Sequence, residues 1–164
     1  MMFLFDTNVF IEAKNRYYAF DICPGFWDWM DHVVQADAGS IVMVRDELCN
    51  GGDELADWTI ARRDHPWFLK VDDGDTQAAF AAIAAHVARG IYTDAAKANF
   101  LSGADPWLIA KAQVIGATLV THEVAAPLAK KRVPIPNVCN HFRVPYLNTF
   151  DALRGLAGTF SFNR

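Results

Sequence analysis

Apolar residues in this chain fall in short blocks that alternate between two periods. Phe3-Leu4-Phe5 is uninterrupted and stops at Asp6, so residues 3–6 predict a short buried strand ending in an acid. Over residues 24–37, Pro24-Gly25 is followed by Phe26, Trp27, Met30, Val33 and Val34 at helical spacing, and Gly39 is expected to break that helix. Ile41-Val42-Met43-Val44 is a β-branched apolar run and predicts a second strand. A short helix is expected to begin over residues 46–48 and to end at Gly51-Gly52. Asp53 is placed to cap the next helix, which carries Leu55, Ala56, Trp58 and Ile60 and stops at His65-Pro66. Trp67 to Val71 reads as a third strand.

The second half repeats the theme. Asp75 to Arg89 is alanine-rich and helical, with Gly90 closing it, and residues 95–101 form another short helix. Asp105-Pro106 opens a helix that runs through Ile115 to Gly116. Ala117 to Thr121 is a buried strand, residues 136–142 a helix, 145–147 a strand and 149–156 a last helix. Short apolar strands alternating with helices predict an α/β fold: a three-layer α/β/α arrangement around a parallel sheet of about four or five strands. No repeat, low-complexity tract or Gly/Pro/Ser-rich linker interrupts it, so residues 1–164 read as a single domain.

Composition narrows the class. Of 164 residues, 52% are hydrophobic, with twelve Phe and five Trp, which is enough for a real core and argues against disorder. No apolar run approaches the roughly 20 residues needed to cross a bilayer. The apolar N-terminal block lacks a basic leader and a small-residue cleavage site, so it reads as a strand rather than a signal peptide. Cys23, Cys49 and Cys139 include no C-x-x-C pair, which predicts packed thiols in a reducing, cytoplasmic setting and neither a zinc knuckle nor a disulfide framework. The net charge of −4 weighs against a sequence-reading DNA binder. It is compatible with a metal site built from carboxylates, which is negative until the cation binds.

The positions of the acids carry the chemistry. Asp6 follows the first strand, Glu47 follows the run 41–44, Glu123 follows the strand at 118–121, and Asp105 opens a helix. In a parallel sheet the carboxyl ends of the strands share one edge, which is where sites form. Carboxylates gathered there repel, and either their pKa values rise or a cation sits among them. An all-oxygen donor set favours magnesium or manganese over zinc. Each acid also has an ordinary reading: Asp105 as an N-cap before Pro106, Glu47 as a solvated first-turn acid, Glu123 as a loop acid. The argument rests on the set, with Asp6 its most specific member.

The order Phe5-Asp6-Thr7-Asn8, then Asp46-Glu47-Leu48, then Asp105-Pro106-Trp107-Leu108-Ile109-Ala110, then Thr118-Leu119-Val120-Thr121-His122-Glu123, resembles the PIN domain family. Residues 11–18 and 24–29 resemble a little-characterised bacterial branch of it, often grouped with toxin–antitoxin modules. The resemblance implies a metal-dependent endoribonuclease similar to VapC-like toxins. Asp6 and Asp105 would be the principal ligands of magnesium or manganese, with Glu47 and Glu123 completing the site, directly or through waters. Glu123 stands where many PIN domains have Asp, one methylene shorter. Asn8 and Thr121 would orient the carboxylates or a water. The implied partners are an RNA substrate, a cognate antitoxin and a second copy of the chain, with the aromatic helix at 26–34 as the dimer face.

Phosphate contacts need cations, and Lys14, Arg16, Lys97 and Lys111 are candidates by their closeness in sequence to Asp6 and Asp105. Ordinary surface charge explains each equally well, and Lys130-Lys131-Arg132 reads first as a solvated loop. Trp27, Trp29 and Trp58 are candidates for base stacking, although helical spacing suits core packing better. Two rival functions remain: a non-catalytic PIN-like binding module, and a haloacid-dehalogenase-like phosphatase. The phosphatase wants an acid where Asn8 stands. No G-x-G-x-x-G or Walker loop supports a nucleotide-binding enzyme.

Overall fold

The computed structural model of the protein describes residues 1–33 and 37–161. Strand β1 (Phe3–Phe5) is buried at all three positions, as an uninterrupted apolar block in a doubly covered sheet should be. It pairs in parallel with β2 (Ala38–Ile41) on one side and with β4 (Thr118–Val120) on the other. The outer strands β3 (Phe68–Leu69) and β5 (Tyr146–Leu147) add in parallel to β2 and β4. The order is β3-β2-β1-β4-β5. Among the described residues nine helices flank this sheet: α1 (Thr7–Asn15), α2 (Pro24–Val33), α3 (Val42–Cys49), α4 (Glu54–Ile60), α5 (Gly74–Ala88), α6 (Asp94–Ser102), α7 (Asp105–Ile115), α8 (Ile135–Phe142) and α9 (Thr149–Gly155). The fold is thus α/β, a single parallel sheet consistent with three layers.

Local chemistry explains several boundaries. Asp53 caps α4, its Oδ1 accepting from the Ala56 N–H at 3.0 Å. Asp73 does the same for α5, accepting from the Thr76 N–H at 2.9 Å, so that helix starts just before the expected Asp75. Gly116 closes α7 in the left-handed region at φ 66, where a side chain is strained. Trp27 and Trp58 lie 5.1 Å apart in an aromatic cluster with Phe10 and Trp67, and Trp29 packs on Phe26. Trp27 and Trp58 are thus core residues, and Trp29 is half-buried against that core. The apolar side of α2 likewise turns inward, burying Phe26, Trp27, Met30 and Val33. The expected continuation of this helix through Val34 to residue 37 includes residues 34–36, which lie outside the described residues.

Three expectations need correction. The second strand is not at 41–44 but at Ala38–Ile41, and Val42 already begins α3. Gly39 lies inside β2 and breaks nothing. A Cβ there would stand 2.7 Å from the Trp67 carbonyl oxygen, so this position needs glycine to let the two chain segments approach. Ser40 is buried in the sheet because its hydroxyl donates to the Phe5 carbonyl oxygen at 2.7 Å. The second correction is α1, which starts directly after Asp6 where the apolar pattern announces no element. The third strand, expected over 67–71, is reduced to Phe68–Leu69.

Candidate carboxylate site

The sheet order reverses between β1 and β4, since successive crossovers leave β1 toward β2 and later return to its other side. A crevice opens at such a point, at the carboxyl ends of the strands. Asp6 sits there. Its backbone N–H donates to the Val120 carbonyl at 3.0 Å, locking it beside the end of β4. Its side chain is 1% exposed. Oδ2 accepts from the Thr121 hydroxyl at 3.1 Å, and that hydroxyl in turn accepts from the Glu123 N–H at 3.1 Å. Oδ1 is buried without a partner. Asp6 occupies the N-cap position of α1 yet makes no capping hydrogen bond. The nearby Asn8 amide lowers its pKa without closing one, while the Asn8 residue itself is exposed.

The other acids come from three elements. Glu47, on α3, accepts from the Thr7 hydroxyl at 2.6 Å and from the Ala104 N–H at 2.9 Å. It therefore ties α1, α3 and the start of α7 together. Asp105 is not the N-cap of α7: Ala104 holds that position, and no side-chain cap bond forms. The N-terminal end of α7 draws on Glu47 instead, which leaves the Asp105 carboxylate uncommitted. Glu123 accepts from the Ile135 N–H at 2.7 Å and lies 3.6 Å from the Arg132 guanidinium. Asp6 and Asp105 carry the electrostatic cost. Burial, opposed by the Thr121 hydrogen bond and reinforced by the charges of Glu123 and Glu47, pushes Asp6 up to about 7. Burial, then the charges of Asp6, Glu123 and Glu47, pushes Asp105 up to about 8. Asp105 thus feels the charges of the other three acids, and Asp6 those of Glu47 and Glu123.

The cations are arranged differently from expectation. Lys14 pairs with Asp53 at 2.5 Å, Arg16 with Glu12, and Lys111 with Asp73 at 2.7 Å. Lys97 donates to the Ala88 carbonyl at 2.7 Å. Each of the four is already engaged by a partner within the protein. Lys131 and Arg132, from the run that read as a solvated loop, line the cleft with Asn99, Asp105 and Glu123. Thr7 and these two cations are the site residues that sequence reasoning missed. Thr7 carried one signal, a hydroxyl immediately after Asp6.

A family model described as a domain of unknown function, DUF4411, matches residues 3–160. The chain belongs to the DUF4411 family. No curated protein matches it. All four acids, Thr7, Thr121, Lys131 and Arg132 fall inside the matched DUF4411 region.

Among the described residues of this DUF4411 domain, no group of three or more His, Cys, Asp or Glu side chains is arranged to hold a metal ion. Glu47 and Glu123 have spent oxygens on protein donors. Asp6 and Asp105 remain: one has a buried orphan oxygen, and both are held against ionisation. A hard divalent cation, if held by that pair, would satisfy their oxygen donors and cancel their repulsion. Asp6 and Asp105 are therefore the residues that would hold it, with Thr121, Thr7 and Glu47 fixing the frame around them.

Proposed function

We propose that this DUF4411 domain is a metal-dependent endoribonuclease, with Asp6 and Asp105 as its principal magnesium or manganese ligands. The observation that carries the reading is the buried, unpartnered Oδ1 of Asp6 at the switch point of the sheet, with the uncommitted carboxylate of Asp105 in electrostatic reach. The cation, when bound, supplies Lewis acidity toward the phosphodiester and the attacking water. The chain's own residues do the rest. Thr121 orients Asp6 through its hydroxyl, and Glu47 fixes the start of α7 and so the position of Asp105. Lys131 and Arg132 supply positive charge for the phosphate backbone in a chain whose net charge is −4. The role of toxin in a cytoplasmic toxin–antitoxin module, with a cognate antitoxin as partner, rests on the resemblance of the acid motifs to PIN domains.

One observation favours a second reading, a PIN-like binding module without catalysis: Glu47 and Glu123 both satisfy their oxygens within the protein. Cleavage decides between the two. Single-stranded and transfer RNA are incubated with wild type, Asp6→Asn and Asp105→Asn in manganese, magnesium or EDTA. The nuclease reading expects cutting that needs metal and falls more than about 100-fold in both variants. Metal binding with no cutting of any RNA supports the binding module. Cutting that survives both substitutions removes the acids from the chemistry.

A further inference from the structure

Helix α1 has a second use. Its first turn carries Thr7 to the acid site, while its later turns form one wall of a separate cavity of about 320 Å³. That volume is at the lower end of small-ligand pockets. The floor is apolar, made by Val9 and Ala13, both buried. Two aromatic rings from different elements stand at its edge: Tyr17, just past α1, is 72% exposed and Phe150, on α9, is 46% exposed. The contrast with Tyr18 is informative, since that neighbouring ring stacks on Phe26 with centroids 4.5 Å apart. The polar rim holds Glu12 and Arg16, paired with each other along α1, and so offers both an acceptor and a donor.

The cavity shares the carboxyl edge of the sheet with the acids. His122, which also lines it and contacts the Thr149 hydroxyl at 2.9 Å, lies between Thr121 and Glu123. From Asp6 to Glu12 the helix advances roughly 9 Å along its axis, a separation that one nucleotide can bridge. An apolar floor, exposed aromatic faces and a rim with both donor and acceptor suit a flat heteroaromatic ring whose edge carries hydrogen-bonding groups.

We propose that this pocket takes an unpaired nucleobase of the strand whose phosphate lies at Asp6 and Asp105, and so sets which base flanks the cut. This rests on the nuclease reading. The test measures binding of a short, labelled single-stranded RNA in magnesium, with competition by each of the four nucleoside 5′-monophosphates. Wild type is compared with Tyr17→Ala and Phe150→Ala, with unchanged thermal unfolding as the control for folding. Metal-dependent RNA cutting by wild type is scored separately. Each aromatic substitution is expected to weaken RNA binding about ten-fold, the size of one lost base–aromatic stack, and to flatten the preference among monophosphates. Unchanged RNA affinity and base preference in both variants overturns the pocket, even if wild type cuts RNA. Weakened binding in both variants with no cutting by wild type keeps the pocket and removes the nuclease. Thermal stabilisation of wild type by a nucleoside 5′-monophosphate, with no affinity for the RNA, overturns the strand and leaves a free-nucleotide site.

Discussion

Asp6 stands where an acid usually caps a helix, yet it accepts from Thr121 instead and leaves Oδ1 buried without a donor. A charge so placed is costly, and Asp105 adds to the cost. The consequence for stability has a definite sign. The folded pKa values, about 7 and about 8, lie above the ordinary aspartate value of 3.8. Between these limits the folded state binds more protons than the unfolded state, so stability falls as pH rises. The favourable contribution is complete below about pH 4 and is lost as pH passes through 7 to 8. Thermal unfolding in EDTA should therefore give a lower Tm at about pH 8.5 than at about pH 5. Asp105→Asn should flatten that slope and raise the Tm at the alkaline end. A wild-type Tm that rises across this range would count against the buried pair.

At the scale of the element, β2 shows how much one contact decides. The short distance from Gly39 to the Trp67 carbonyl leaves no room for a side chain, because the obstacle is backbone. Gly39→Ala should cost about 1–3 kcal/mol in urea unfolding, the range of an overpacked core. Gly25→Ala, whose added carbon meets only the Phe160 ring at 3.6 Å inside α2, should be tolerated. The same strand marks the limit of what the sequence reveals. β1 and β4 are legible because both are apolar throughout or nearly so and end at turn or acid positions. The run Ile41–Val44 is not, since four apolar residues fit a buried strand and a helix turn equally well. Ser40 is tolerated in buried β2 because its hydroxyl reaches a carbonyl 35 residues away, a partner no local pattern announces. Asp6, Asp105 and Glu123 were legible by their places at or just past element ends, whereas Glu47, expected just after a strand, lies within α3. Their partners were not, because the Thr7–Glu47, Ala104–Glu47 and Ile135–Glu123 bonds leave no local pattern. Closeness in sequence misdirected the search for cations: Lys14 is claimed by Asp53, 39 residues on.

For the molecule as a whole, a parallel sheet whose order reverses beside its central strand brings together residues from both ends of the chain. Asp6 and Thr121 meet across 115 residues. Among the described residues no helix is long and apolar enough to cross a membrane. Lys131 and Arg132 line the cleft with Asp105 and Glu123, and later turns of α1 line the separate cavity, so a bound strand would meet phosphate and base contacts together. The proposed nuclease rests on Asp6 and Asp105 forming a cation site. Thermal unfolding at about pH 8, with EDTA or with saturating manganese, tests that without knowledge of the RNA. A ligand at about 100 times its Kd adds roughly 2.7 kcal/mol, which for a chain of this size raises the Tm by about 5–10 °C. That rise is expected in wild type, with most of it lost in Asp105→Asn. No rise at millimolar manganese, or an equal rise in the variant, would contradict the cation site.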